Sequence, residues 1–250
     1  MNTVVSESRK LFSLRSTWVY LAVVALGMAA GGVLTAWGYD FNGSVDGKFQ
    51  SSDVLAASEL AVVVMIFASA MLVGADLGKG TVAWSYLSNN RRVGIVLSQF
   101  VVILISLLLA ATLGILVAIL LIAAFGGDIN FASFYQWPDC KRVVFAYVEW
   151  GGFSLLAMGL AYLLRSGTFA AMILVVEFFV LETALTAFDT SWAKALLSCL
   201  PFANMQTLVL GGESGPLDHS RGVSALILVL ILALCVGGAC VASRRRSVAK

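Results

Sequence analysis

Long runs of apolar residues dominate the pattern along this chain, and six of them are long enough to cross a membrane. A membrane-spanning helix needs about 20 largely apolar residues to cross a hydrocarbon core of about 30 Å. The runs are continuously apolar rather than alternating, which argues against a β-barrel. The pattern therefore predicts an all-α polytopic membrane protein with one transmembrane domain over residues 1–250. Its six predicted spans lie at about 18–38, 54–75, 98–125, 143–164, 169–188 and 224–242.

Three further segments carry structural signals. The third apolar run, 93–125, would measure about 50 Å as one helix, so we expect its first turns to stand outside the bilayer. Residues 4–15 mix apolar and basic side chains, which predicts an interfacial amphipathic helix before the first span. The longest loop, 189–223, contains an apolar stretch interrupted by Pro201. It predicts short outer-face helices between spans five and six.

The composition excludes the soluble classes of protein. Hydrophobic residues make up 60% of the chain and charged residues only 12%, whereas a soluble domain carries about a quarter charged residues. A water-soluble fold could not cover that much apolar surface, so soluble enzymes and secreted factors are excluded. The net charge of +2 is too small to indicate a nucleic-acid partner.

Lysine and arginine are distributed unevenly between the two sets of loops. Eleven of the 16 basic residues fall at the two termini, between spans two and three, and between spans four and five. Most acidic residues outside the spans fall in the other loops. Because cytoplasmic loops are enriched in lysine and arginine, we expect both termini to be cytoplasmic.

Motifs for catalysis or metal binding are sparse. Segment 74–81 differs from a phosphate-binding loop, because three residues rather than four separate its first glycine from the Gly-Lys pair. We therefore expect no ATPase and no cofactor on this chain. Its single histidine, His219, cannot form a His-rich metal site. Cys140 and Cys199 both fall on the predicted outer side, although no sequence pattern brings them together.

Four glutamates lie within the apolar runs, where an ionised side chain that faces lipid costs at least a few kcal/mol. They are candidates for translocation or gating in an outward-leaning polar cavity; alternatively they snorkel or pair locally, as Glu149 could with Arg142. Glu177 and Glu182 are five residues apart, about 140° around an α-helix, so we expect them on different faces. The four candidates are Glu59, Glu149, Glu177 and Glu182.

Gly27 and Gly31 form a Gly-x-x-x-Gly pattern in the first span. Such a pattern allows two membrane helices to approach each other closely. It is compatible both with packing inside one chain and with dimerisation.

Segments on the predicted cytoplasmic side occur in an order that matches a known family. Segment 6–18 contains Glu-x-x-Lys-Leu-x-x-x-Arg-Ser-Thr-Trp, and segments 76–81 and 90–92 are Asp-Leu-Gly-Lys-Gly-Thr and Asn-Arg-Arg. Further matches are Arg165-Ser166, Glu182 late in the fifth span, and Leu200-Pro201 before the sixth. In these features the chain resembles the permease subunits of type-2 ATP-binding-cassette (ABC) exporters, in their six-span bacterial form. Departures from the family pattern are Asp76, Asn90 and Gln99, where Glu, Pro and a nearby Ala-Lys pair are usual.

The resemblance implies a transport subunit that is not itself an enzyme. Permeases of this family pair with a second copy or a related chain, and each receives one cytoplasmic ATPase that binds ATP and Mg²⁺. The resemblance assigns the ATPase-coupling surface to segment 4–15 and to segment 80–92 of a cytoplasmic coupling loop over 76–92. The same residues could instead lie on anionic membrane lipid. The residues assigned to this surface are Arg9, Lys10, Arg15, Asp76, Thr81, Trp84, Tyr86, Arg91 and Arg92.

The function implied by the resemblance is ATP-driven export across a bacterial plasma membrane. The expected cargo is amphipathic or hydrophobic, such as a peptide antibiotic, a bacteriocin or a lipid-like molecule. The alternative is a self-powered secondary transporter or channel that uses the intramembrane glutamates, but inverted repeats and broken spans are not seen in the sequence. An intramembrane protease would need paired acids and histidines in the bilayer, and one loop histidine cannot supply them.

Overall fold

The computed structural model describes residues 3–41, 43, 47–55, 58–78, 92–137, 139–188, 190–210, 217 and 219–245. Within them, six helices are long and apolar enough to cross a membrane, which confirms the prediction of a multi-pass, predominantly helical membrane protein. The spans are α2 (Arg15–Gly38), α4 (Ser58–Gly78), α5 (Arg92–Ala124), α6 (Lys141–Leu164), a composite fifth span (Gly167–Thr186) and α11 (Arg221–Arg245).

The composite fifth span and several short elements complete the chain. The span consists of α7 (Gly167–Val176), a π-helical turn (Glu177–Leu181) and α8 (Glu182–Thr186). The short elements are α1 (Thr3–Ser13), β1 (Lys48–Phe49), α3 (Ser51–Val54), β2 (Asp128–Ile129), a 3₁₀ turn (Phe131–Phe134), α9 (Ser191–Leu197) and α10 (Pro201–Leu210). Helices α9 and α10 are the short helices expected between spans five and six.

Four helix boundaries differ from the sequence-based prediction. Leu14 is extended, so α1 ends at Ser13 and Arg15 belongs to the first span rather than to the interfacial helix. The predicted coupling loop 76–92 is also shorter, because Asp76 lies in the last turn of α4 and Arg92 begins α5. The second span begins later than predicted, since residue 54 ends the separate helix α3.

Helix α4 lies in the middle of the bundle, where it contacts α2, α5, α6 and α7. Its side chains Val62, Met65 and Ile66 are completely buried. Helix α11 is the least buried of the six spans and exposes a stripe that includes Leu226 and Leu234. A span that is apolar on all sides and exposed on one suits contact with lipid chains.

The first and third spans pack closely through glycine, which explains part of the predicted small-residue pattern. A Cβ atom at Gly114 would lie 2.4 Å from the Ala25 carbonyl oxygen, so α2 and α5 could not approach this closely with any larger residue. Gly27 faces Val64 of α4 within the same chain, at an ordinary 3.6 Å from the Cβ that it lacks. Gly31 is buried. The Gly-x-x-x-Gly pattern therefore supports packing inside the chain.

Two loops are tied together at the end of the bundle opposite α1, which we call the far end. Strands β1 and β2 pair in parallel, with Lys48 opposite Asp128, and the side chains of these two residues form an exposed ion pair of 3.3 Å. The Ser51 amide donates to the Ser133 hydroxyl over 2.7 Å. The pairing joins the loop after the first span to the loop after the third, and the sequence did not predict it.

Candidate functional site

Polar side chains from four helices meet at the end of the bundle that carries α1. We call this group the anchor cluster, and it consists of Glu7 and Lys10 on α1, Asp76 on α4, Gln99 on α5 and Tyr162 on α6. Four of the five are buried, and Lys10 is half-buried. Because Lys10 and Asp76 touch, the start of the first span and the end of the second lie at the same end of the bundle.

A continuous series of polar contacts runs through the anchor cluster. The Lys10 Nζ atom lies 2.7 Å from Asp76 Oδ2, and the Gln99 side-chain amide donates to the same oxygen over 2.7 Å. The Tyr162 hydroxyl donates to the Gln99 Oε1 atom. Glu7 lies 3.6 Å from the Lys10 ammonium. Each polar group in the series thus has an oppositely charged or hydrogen-bonding partner.

The amphipathic pattern of α1 explains how its polar side chains reach the spans. Glu7, Lys10 and Leu11 are three or four residues apart, so they share one face of the helix. That face packs against α5, with Leu11 in the apolar core. The helix also exposes Val4 and Phe12, which suits an interfacial helix. The amphipathic helix before the first span is therefore present, as the sequence predicts.

The charges around Glu7 oppose one another. Burial raises the pKa of the Glu7 carboxyl above its usual value; the Lys10 charge opposes this shift, and the Asp76 charge adds to it. Lys10 therefore holds two carboxyl groups at once, and its shorter contact is to Asp76. The Lys10–Asp76 ion pair is enclosed by the helices, so the loss of either side chain would leave the other charge poorly solvated.

The residues that the sequence assigns to a coupling surface divide into three groups. Lys10 and Asp76 are engaged inside the anchor cluster, whereas Arg9 and Arg15 are exposed. Arg92 is half-buried at the start of α5. Outside the described residues lie the other four, Thr81, Trp84, Tyr86 and Arg91.

The sequence analysis did not predict the contacts of Gln99 and Tyr162 in the anchor cluster. A glutamine near the start of a long apolar run is a signal that could have identified Gln99.

A second polar site lies in the composite fifth span, and it corrects one expectation from the sequence. The Glu182 amide donates to the Glu177 carbonyl, so one π-helical turn separates these residues. An i to i+5 hydrogen bond places residues five apart above one another, whereas α-helical geometry would rotate them about 140° apart. The two carboxyl groups accordingly interact with each other. The expectation of different faces is therefore wrong.

Glu177 and Glu182, which we call the carboxyl pair, have different surroundings. Glu182 is 3% exposed, and its Oε1 atom accepts a 2.9 Å hydrogen bond from the Phe202 amide in the first turn of α10. Both oxygens of Glu177 are buried, and the group recorded as hydrogen-bonded to this carboxyl is the neighbouring acid, Glu182. The positive end of the α10 helix dipole thus stabilises one carboxylate only.

Aromatic rings from three elements pack against one another near the first turn of α10. Phe178 follows Glu177 in the chain, and its ring centroid lies 4.0 Å from that of Phe202, whose backbone amide binds Glu182. The Phe153 ring of α6 lies 6.2 Å from Phe178 and 6.3 Å from Phe202. These ring contacts join the fifth span to α6 and α10.

The remaining candidates are not brought into either site by any described contact. Glu149 is buried on α6 and interacts with another group. The Glu59 side chain lies outside the described part of the chain. Cys140 and Cys199 are both free thiols. In the described ranges, no group of three or more histidine, cysteine, aspartate or glutamate side chains could hold a metal ion.

Comparison with known proteins identifies no relative. No protein-family model matches the chain, and no curated protein sequence matches it.

Proposed function

We propose that this chain is the transmembrane subunit of an ATP-driven exporter, powered by a separate cytoplasmic ATPase of the ABC class. The anchor cluster is the observation that carries the proposal. It fixes an interfacial helix to three different spans through hydrogen bonds and an ion pair. A subunit that receives mechanical work from outside the membrane needs such a connection.

The proposed mechanism follows from where the anchor cluster lies. A displacement of α1 would act on α4 through Lys10 and Asp76, then on α5 through Gln99 and on α6 through Tyr162. Residues 79–91 continue directly from α4, so a load on them would reach the same spans. Nucleotide on the partner would bias the population between inward-facing and outward-facing states, provided that the partner binds them unequally.

The exposed basic residues suit a partner at this end. Arg9 and Arg15 are exposed, while Lys10 is held by acidic groups. A cytoplasmic ATPase or an anionic lipid surface could bind the exposed side chains of Arg9 and Arg15. With both termini cytoplasmic in a bacterial plasma membrane, the ATPase, ATP and Mg²⁺ would all lie on this side, and two permease chains would complete the exporter.

Co-purification tests the proposal. The tagged full chain is co-expressed with its neighbouring genes, purified in mild detergent and analysed by mass spectrometry. We expect a stoichiometric companion with a nucleotide-binding motif and ATPase activity. The double variant R91E/R92E should lose this companion, whereas D128N, a charge change at the far end, should keep it. A wild-type chain that purifies alone and still moves solutes in liposomes would contradict the proposal.

A self-powered transporter is the second candidate, and the carboxyl pair is the observation in its favour. Acidic side chains within membrane spans commonly mark pathways for protons or cations. Such a transporter would concentrate its substrate in liposomes under an ion gradient and without ATP. Reconstitution without any companion therefore separates the two candidates.

A further inference from the structure

We infer that the exposed side of α1 and of the first turn of α2 is a binding surface for anionic phospholipid. This surface, which we call the basic-aromatic face, consists of the exposed side chains Arg9, Phe12, Arg15 and Trp18. The proposed function leaves the partner of the two arginines open between an ATPase and lipid, and the structure favours lipid. Lipid binding can be tested on the chain alone, with no ATPase present.

The charges of α1 are divided between its two sides. Glu7 is the only acidic residue between positions 3 and 18, and it is buried with Lys10 as its partner. Arg9 and Arg15 are exposed, and the described salt bridges include neither of them. The exposed side therefore carries two positive charges that no acidic residue of this segment neutralises. Such a surface suits an anionic partner.

Each arginine of the basic-aromatic face lies one helical turn before an exposed aromatic ring. Arg9 precedes Phe12 by three residues on α1, so the two share a side of that helix. Arg15 precedes Trp18 by the same spacing on α2. The two rings meet across the bend at Leu14, with their centroids 5.7 Å apart. The two arginine–aromatic pairs therefore form one continuous surface.

A hydrogen bond fixes this arrangement. The Trp18 Nε1 atom donates to the Phe12 carbonyl over 3.1 Å. The last turn of a helix has carbonyl groups without partners inside the helix, and this contact satisfies one of them. The indole ring is therefore held beside the end of α1 while one side of it stays exposed.

Continuity with the first span favours lipid over a protein partner. Only 33% of the apolar stretch of α2 is buried inside the protein, and Trp18 and Val19 in its first turns are exposed. The exposed apolar side of a spanning helix contacts lipid chains, and tryptophan is enriched where those chains meet the headgroups. Because the Phe12 ring packs against that of Trp18, it lies at the same depth. Arginine side chains at this depth reach the lipid phosphates.

Native mass spectrometry of the purified full chain in mild detergent tests the inference by counting bound lipid. The probe is dioleoylphosphatidylglycerol, which is anionic, and the matched control is dioleoylphosphatidylcholine, which has the same chains and no net charge. Each basic residue near a membrane surface raises affinity for anionic lipid about fivefold, so two arginines predict a preference of about 25-fold. Equal affinities for the two lipids would overturn the inference.

Matched variants locate the surface. The double variant R9Q/R15Q should bring the two affinities to within about twofold of each other. Arg244→Gln removes a positive charge at the same end of the bundle, beyond the point where α11 packs against Leu163 of α6, and should keep most of the preference. An unchanged preference in R9Q/R15Q, or an equal loss in R244Q, would overturn the inference. If R9Q/R15Q does not fold, the single variants decide, and each should lose about fivefold.

Co-purification separates lipid from ATPase as the partner of the basic-aromatic face. If R9Q/R15Q loses the companion ATPase and keeps the lipid preference, the surface belongs to the ATPase and the inference fails. A wild-type chain that prefers phosphatidylglycerol but purifies without any companion would support the lipid surface while contradicting the proposed function.

Discussion

The anchor cluster and the carboxyl pair are both buried polar groups in an apolar bundle, yet they are built in opposite ways. In the anchor cluster, the ammonium of Lys10 and the amide of Gln99 both serve Asp76, and Tyr162 serves Gln99. In the carboxyl pair, Glu182 accepts from the Phe202 amide, and the group paired with Glu177 is Glu182, a second acid. The first arrangement joins unlike groups in a fixed contact between helices, and the second places two acidic groups side by side.

Free energy explains the difference. A buried polar network stabilises a unique arrangement when all its members are paired, and a buried group without a partner costs stability instead. Two acidic groups side by side can share one proton, but ionising both of them is costly. The two sites therefore make opposite predictions for the loss of one member, and each can be tested by substitution.

The largest expected effect comes from breaking the anchor cluster at Asp76. Asp76→Ala removes the shared acceptor, which leaves the Gln99 amide without it and the half-buried Lys10 charge with only the longer contact to Glu7. We expect a loss of about 3 kcal/mol, since breaking an enclosed ion pair leaves the other charge poorly solvated. The unfolding midpoint in detergent, followed by tryptophan fluorescence, measures it.

Asp128→Ala is the control for that substitution, because its ion pair with Lys48 is exposed on both sides. An exposed pair contributes about 0–1 kcal/mol, so the midpoint should scarcely change. Equal losses for D76A and D128A would show that the anchor cluster is not a special contact.

The two members of the carboxyl pair should respond to substitution with opposite signs. Glu182→Met removes the acceptor of the Phe202 amide, which costs about 1–3 kcal/mol when a donor is left unpaired. Glu177→Met removes one of two acidic groups that lie side by side, so the midpoint should stay constant or rise. The same thermal unfolding measurement compares both variants. A clear loss of stability in E177M would mean that the wild-type carboxyl group is already satisfied.

Tyr162 allows a milder test of the anchor cluster. Tyr162→Phe keeps the ring contact with Phe100 and removes only the hydroxyl that donates to Gln99. The expected loss is about 1 kcal/mol, the usual net contribution of one hydrogen bond. If the loss disappears in a D76A background, the two residues belong to one network; additive losses would separate them.

The sequence predicts features that depend on neighbouring residues, but it does not predict contacts between residues that lie far apart along the chain. The six spans depend on local runs of apolar residues, so their existence was predictable, and so was the face that α1 buries. The contacts among Asp76, Gln99 and Tyr162 depend on how three spans pack, which no local pattern contains. The relative positions of Glu177 and Glu182 depend on a single π-helical turn, and a helical wheel with constant rotation misplaced them.

The smallest effect is a pH dependence carried by Glu7. Its pKa is raised in the folded chain, so the folded state holds this proton more tightly than the unfolded state. The contribution of Glu7 to stability is therefore present at low pH and is lost as the pH rises through its folded pKa. We expect the unfolding midpoint of the wild type to fall more than that of Glu7→Gln between the usual glutamate pKa and neutral pH. Parallel curves would contradict this.

Thermal unfolding of D76A and E177Q side by side tests the contrast between the two sites most directly. Asp76→Ala removes the acceptor shared by Lys10 and Gln99. Glu177→Gln keeps the shape of the side chain and offers an amide that can donate to Glu182. The account predicts that D76A unfolds much earlier than the wild type and that E177Q unfolds near the wild-type midpoint. The reverse result, a large loss in E177Q and none in D76A, would contradict the account.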